Sequence, residues 1–402
     1  MWLCLCFLRY AAIGQGVDTL SGQAAVISRL LNHLENGQVK TDGFYYAGTF
    51  PTLRSWSMSP SNVKTDNAIF YTGLIVFTLR QLAPYLHGDD RSTCDSIIAR
   101  GVRAYLHYQN RKGLPSYNFW PPDKPIFFPH SILLDRFKDS KQIADDLDDT
   151  SILYLGSGIP DSTAKRLKAL MDSHANGWVD SRGRTHRIRN SYRATRHLPA
   201  YSAWFGERTP IEFDAGVFCN ILYFVYADHL SLDEHDTASI QFLAYILKER
   251  KYLRDPAYAS SYYPRSPVLI YHLARLLGRF DVPGLSGYKP QLIEDAKKLL
   301  RGAKDPMDRV ILGTALIRLG AREGLPEAPE MTSAEQSSSF VFYIANISCL
   351  FPNPIRRMFL ENPLSTYYFF SPDYNDALVL EYLLLSQVVS TSSKSTPSPT
   401  AR

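Results

Sequence analysis

Four carboxylates fall within five residues, at Asp145, Asp146, Asp148 and Asp149, and the block runs directly into the apolar stretch Ile152-Leu153-Tyr154-Leu155. Read as the first turn of a helix, the block carries more charge than its position needs, since one or two acidic side chains satisfy the free N–H groups and the dipole there. Residues four apart share a helix face, which sets Asp145 beside Asp149 and Asp146 beside Thr150, with Asp148 to one side of Asp145. Like charges so close are relieved when one carboxyl stays protonated with a raised pKa. A carboxyl kept protonated is an acid, and acid chemistry is the expectation for this block. A solvated, over-capped helix start is the plainer outcome.

Candidate partners for the block are Glu212 and Asp214 in Pro210-Ile211-Glu212-Phe213-Asp214-Ala215-Gly216, where a second apolar helix begins, and Asn220 on that helix. Asp373, Asn375, Asp376 and Glu381 open a last helix and read as cap and solvated face. Aromatic pairs recur at Phe119-Trp120, Phe127-Phe128, Trp204-Phe205, Tyr262-Tyr263 and in the run Tyr367-Tyr368-Phe369-Phe370. They suit either core packing or an aromatic-walled cavity. Six arginines and two histidines lie in 181–197; an exposed basic loop is the simpler expectation, and an anion clamp for phosphate or diphosphate the sharper one. The sequence holds no Walker loop, no HExxH, no GxSxG and no Cys/His metal spacing, and Pro160 rules out Gly156-Ser157-Gly158 as a dinucleotide loop.

The 402 residues are 45% hydrophobic and 13% aromatic with a net charge of +5, enough for a large core and too weakly basic for a nucleic-acid binder. Cys4, Cys6, Cys94, Cys219 and Cys349 are scattered and do not fix a redox compartment. No stretch is long and apolar enough to be transmembrane. Residues 1–16 read as a signal-like or truncated N-terminus, with cytoplasmic placement favoured over secretion; 17–389 read as one helical domain and 390–402 as a disordered Ser/Thr/Pro tail.

The elements that must position these residues are helices. Ala24, Ile27, Leu30, Leu31 and Leu34 mark an amphipathic helix in 17–35, followed by a Gly-, Tyr- and Pro-rich loop to Asn67. Segments 68–82, the run after the acidic block, and 210–226 are apolar on every side; 92–109, 161–174 and 233–251 carry one apolar stripe each. Helices are further expected at 267–277, 290–300, 307–319, 338–350 and 373–389, making about twelve in all, with no convincing strand. Alternating buried and amphipathic helices predict an all-α double ring, an α/α toroid; a helical solenoid competes, but no fixed-period repeat supports it. The apolar loop 113–137 is expected to fold over the acidic block.

Asp146-Leu147-Asp148-Asp149-Thr150-Ser151 resembles the Asp-x-Asp-Asp-Thr-Ala motif of class II terpene cyclases, of the copalyl diphosphate synthase and squalene–hopene cyclase type, which are built from α/α toroids. The resemblance implies that Asp148 protonates an alkene or epoxide, that Asp146 and Asp149 tune it, and that aromatic walls stabilise the carbocations that follow. Trp120, Phe128, Trp204, Phe213, Asp214, Asn220 and Tyr263 are the residues expected around the substrate. No cofactor is then needed. The same block also satisfies Asp-Asp-x-x-Asp, the Mg²⁺ pattern of class I terpene synthases, through Asp145, Asp146 and Asp149. The expected partner is a small hydrophobic isoprenoid, with no nucleic acid, peripheral membrane contact left open, and the oligomeric state undetermined. Two other readings stand beside this one. A carbohydrate-active toroid would pair Asp148 with Glu212 or Asp214, and a non-enzymatic toroid scaffold would turn the acidic block to solvent.

Overall fold

The computed structural model describes residues 22–123, 126, 145–205, 209–321, 324–326 and 340–394. Phe127, Phe128, most of the loop 113–137, the N-terminal 1–16 and the end of the tail lie outside them.

The chain is mostly helical. Helix α1 (22–37) is followed by α2 (Phe70–Leu82), α3 (Gly88–Ala104), α4 (Leu147–Ser157), α5 (Asp161–Asp172), α6 (Ala215–Ala227) and α7 (Glu234–Lys248). Two single turns, α8 (Lys251–Arg254) and α9 (Pro256–Ala259), lead into α10 (Ser266–Arg279), α11 (Lys289–Gly302) and α12 (Pro306–Arg318), and the C-terminal helix Pro372–Lys394 closes the described chain. That helix runs to Lys394, past the Ser390 at which the disordered tail was expected to start.

Six helices pack in cyclic succession: α2 on α4, α4 on α6, α6 on α10, α10 on α12, α12 on the C-terminal helix, and that helix back on α2. Three of them, α2, α4 and α6, are the segments read from sequence as apolar on all sides; in α6 every residue from Ala215 to Val225 is buried. Helices with one apolar stripe lie outside them, with α3 against α2 and α4, α7 against α6, and α11 against α10 and α12. Close approach is built in with glycine. A Cβ on Gly73 of α2 would stand 3.0 Å from the Leu153 side chain and 3.1 Å from that of Ile152 on α4, and one on Gly278 of α10 would run into the carbonyl of Arg318 on α12.

The expectation of an all-α chain is corrected by a four-stranded antiparallel sheet in the order β2-β1-β4-β3, made of β1 (Thr52–Trp56), β2 (Ser59–Asp66), β3 (Tyr343–Asn346) and β4 (Thr366–Phe370). Leu53 pairs with Phe370 and Tyr343 with Phe369. Its strands hide for different reasons. β2 is exposed over most of its length and polar, so it lacks the period-2 alternation of a half-buried strand. All four residues of β3 are buried, so a short apolar run there reads equally as a buried helix, which is how 338–350 was assigned. β4 is the Tyr-Phe run, a composition that favours strands.

Gly278→Ala is expected to destabilise the protein by about 1–3 kcal/mol, because the added methyl meets backbone rather than a side chain that can turn away. Urea denaturation of the purified variant measures this; an unchanged midpoint would show that the α10–α12 contact has slack.

Candidate active site

The acidic block is tied down by backbone on both sides before it enters α4. Asp146 N–H donates to the Tyr117 carbonyl (3.0 Å), Leu147 N–H to that of Ala203 (2.9 Å), and Phe205 N–H to that of Asp145 (3.0 Å). Asp146 is the N-cap: its Oδ1 accepts from the N–H groups of Asp148 (2.7 Å) and Asp149 (3.4 Å). Thr150 completes the start by donating its hydroxyl to the Asp146 carbonyl (2.6 Å) and accepting from Tyr117 N–H (3.0 Å). All four carboxylates are buried. The solvent-facing block that a scaffold protein would show is therefore not what the chain has.

The four side chains divide in two. Asp145 accepts from Asn110, Ser116 and Asn118, so its oxygens are occupied by loop donors. Asp145, Asp146 and Asp149 do not form a metal-ligating set, and no group of three or more His, Cys, Asp or Glu among the described residues does. Asp146, Asp148 and Asp149 instead face Tyr343 of β3, whose hydroxyl is pushed well up by burial and then by these three carboxyls.

Asp148 is the most fully bonded of the three. Its Oδ1 accepts from Asn220 Nδ2 (2.6 Å) and its Oδ2 from the Tyr263 hydroxyl. Asn220 Oδ1 in turn accepts from the Arg275 guanidinium and lies 3.2 Å from His272 Nδ1. Arg275 is fully buried, stacked over Phe77 and Tyr271 (4.9 and 5.4 Å), and pairs directly with no carboxylate among the described residues. Asn220 thus passes its charge on to Asp148. Burial raises the Asp148 pKa to about 6, and the bonds from Asn220 and Tyr263, with Arg275 behind them, hold it from rising further. Neither oxygen of Asp149 has a hydrogen-bond partner among the described residues. Burial, then the charges of Asp146 and Asp148, push its pKa well above the carboxylate range, and burial and Asp148 do the same to Asp146. The bonds to Asp148 favour its ionised form, while burial and mutual repulsion favour the protonated forms of Asp146 and Asp149.

The residues around the cluster come from the starts of other helices in the cycle. Tyr263 precedes α10 and lies across the first turn of α6, where Gly216 admits it: a Cβ on Gly216 would enter the Tyr263 ring. Phe70 opens α2 and sits 4.6 Å from Tyr343 and 6.3 Å from Tyr263, ring centre to ring centre. Phe119 stacks on Tyr343 (5.6 Å), and Tyr262 lies parallel to it at 5.9 Å. Tyr263, which bonds Asp148, thus belongs to a continuous group of packed rings with Phe70, Tyr343, Phe119 and Tyr262.

The expected substrate-contacting residues are distributed as follows. Asn220 and Tyr263 bond Asp148 directly. Asp214 caps α6 through Gly216 and Val217 N–H and accepts from Ser260 and from Tyr262 N–H; burial lifts its pKa to about 7 against the Ser260 bond, with Glu212 adding to the rise. Trp204 donates Nε1 to Glu212 and to the Tyr262 hydroxyl (3.1 and 2.9 Å), one shell out. Trp120 donates to Asp66 (2.7 Å) and packs edge-on against Phe119. Phe213 lies against Phe218 and Phe242 in the core, and Phe128 is outside the described residues. Tyr343, Phe70, His272 and Arg275 were not among the expected residues. The signal for the last two was a histidine and an arginine three apart inside an otherwise apolar helix, since a buried charge is retained where it has a partner.

Compared with known proteins, the chain matches no protein family, no curated protein and no solved structure.

Two outcomes follow. Asp149→Asn is expected to raise the melting temperature at pH 7. The raised folded-state pKa of Asp149 means that native stability is greatest below the unfolded value and falls as pH rises, so the gain from the amide shrinks toward pH 4; a gain independent of pH would contradict a protonated Asp149. Asn220→Ala removes a donor to ionised Asp148 and is expected to raise the Asp148 pKa above about 6, as read by carboxyl-carbon NMR titration.

Proposed function

We propose that the protein is a terpene cyclase-like enzyme, of the isomerase or lyase kind, that protonates an isoprenoid alkene or epoxide and cyclises it through carbocations held among aromatic rings. The observation that carries this reading is the cluster of three desolvated carboxyls, one of them with both oxygens unpartnered among the described residues, bonded to Tyr263 and through it joined to the packed rings of Tyr343, Phe70 and Phe119. Alkene protonation needs an un-ionised acid in a dry site, and the cation it creates is stabilised by ring faces. The cyclic packing of six helices supports an α/α toroid as the scaffold.

Within the cluster Asp148 is the donor. It has the lowest pKa of the three, so its proton is the most readily given, and Asn220 with Tyr263 stabilises the carboxylate left behind. Asp146 and Asp149 remain neutral, keeping the total charge of the cluster low while Asp148 cycles. The carbohydrate reading, with Glu212 or Asp214 as second carboxylate, is less well served. Glu212 accepts from Trp204, Tyr262 and Ser261, and Asp214 from four donors, which leaves neither poised to activate a water.

Incubation with farnesyl diphosphate, geranylgeranyl diphosphate and squalene, with and without Mg²⁺, followed by mass spectrometry, tests the proposal. A cyclised product that keeps its diphosphate, or cyclised squalene, is expected, with turnover reduced at least about a hundredfold in Asp148→Asn, the scale of a lost general acid. Release of diphosphate would point to ionisation chemistry instead. Because the donor must be protonated, wild-type turnover is expected to fall as pH rises through about 6, the Asp148 value. In Asn220→Ala that limb moves to higher pH.

A further inference from the structure

The acid cluster makes no use of two neighbouring surface segments, the arginine loop at 182–196 and the stretch Phe351–Leu364. Between them runs a groove of about 430 Å³, lined by Arg184, Arg187 and Arg189 on one side and by Ile211, Leu350 and Phe351 on the other. The segments are fastened together from beneath: Asn353 N–H donates to the Arg189 carbonyl (3.2 Å), and the buried Arg356 guanidinium donates to that of Asn190. Arg184 is paired with Asp180, whereas Arg187 and Arg189 are exposed and make no ion pair among the described residues. The whole span 181–197 contains no Asp or Glu.

The far wall continues into a ridge. Phe351, Ile355, Met358, Phe359 and Leu364 are 44, 40, 70, 40 and 54% exposed, a run of large apolar side chains in solvent within one short stretch of chain. Single exposed apolar residues need no explanation, but a contiguous set beside a basic rim marks an interaction surface. At its end Trp56 donates Nε1 to the Leu364 carbonyl (3.2 Å), bringing Trp56 and Met58, at the tip of the β1–β2 hairpin, against the ridge.

We propose that this face docks on an anionic phospholipid surface, with the ridge residues Ile355, Met358, Phe359 and Leu364 in the interfacial layer and a lipid phosphate in the groove at Arg187 and Arg189. Apolar side chains entering the headgroup region, arginines at the phosphates and a tryptophan at the margin are the parts such binding uses. Charge selects this occupant over a second copy of the chain: a two-fold contact through the same patch brings one arginine loop against its twin. The inference requires no particular reaction at Asp148.

Flotation of the full chain with phosphatidylcholine vesicles, with and without phosphatidylglycerol, tests it. Wild type is expected to float with the anionic vesicles and to release as salt is raised. Each arginine near an anionic leaflet strengthens binding about fivefold, so Arg187→Glu/Arg189→Glu is expected to weaken it at least about tenfold. Met358→Asp/Phe359→Ser, at exposed positions and with an unchanged melting temperature as the control for folding, is expected to weaken it similarly. Failure to float, or flotation that ignores both variants or the lipid charge, overturns the proposal. So does binding of inorganic diphosphate, abolished by the arginine variant, without vesicle binding, which would make the groove a site for a soluble anion. A doubled mass in light scattering that Met358→Asp/Phe359→Ser abolishes, again without flotation, would make the ridge a contact between copies and overturn it as well.

Discussion

Holding three carboxyls out of water within one helical turn is the constraint to which the surrounding structure answers. Each is unfavourable there when charged, and mutual repulsion adds to the cost. The chain meets this by unequal treatment rather than by neutralising all three. One carboxyl, Asp148, receives two hydrogen bonds and the field of Arg275 behind Asn220; Asp146 spends an oxygen on the helix N-terminus; Asp149 receives no hydrogen bond among the described residues. The result is an ordered set of proton affinities built from groups of identical chemistry. Arg275 follows the same logic in reverse, a cation with no direct carboxylate among the described residues that is held by Asn220 and by the faces of Phe77 and Tyr271.

The cyclic helix packing explains how these parts meet. The cluster stands at the start of α4, Asp214 at the start of α6, Tyr263 just ahead of α10 and Phe70 at the start of α2, so the beginnings of neighbouring helices supply the site. The bodies of α2 and α6 are then free to be apolar on all sides. Gly216 and Gly73 let the pieces approach closely enough for side chains from different helices to bond.

Much of this was legible in the residues. The acidic block announced itself by excess, and the alternation of fully apolar and striped segments separated inner from outer helices. Asn220 was visible as an amide on an apolar helix, and Tyr263 as one of the paired aromatics. The sheet was not, because β2 has no apolar face to alternate, β3 is buried over its whole length, and the hairpin β1–β2 joins the other two strands only through β4, more than 300 residues away. Phe213 was misleading for a related reason. In the extended segment before α6 its neighbours Glu212 and Asp214 turn to the site, and the intervening side chain turns to Phe218 and Phe242 in the core.

The sheet's two borders have unlike fates. At β3 the next partner is already present, since Ile344 N–H donates to the carbonyl of Tyr262, whose own N–H is held by Asp214. At β2 the border is open to solvent, and there the sequence Ser-Pro-Ser-Asn-Val-Lys-Thr-Asp places a proline and a lysine on the outermost strand. Proline withholds a donor and lysine resists being covered, so a stray strand from another molecule finds no template to extend. A chain that folds by joining segments several hundred residues apart spends time with such borders unfinished, and β2 makes the one that never closes unfit for self-association.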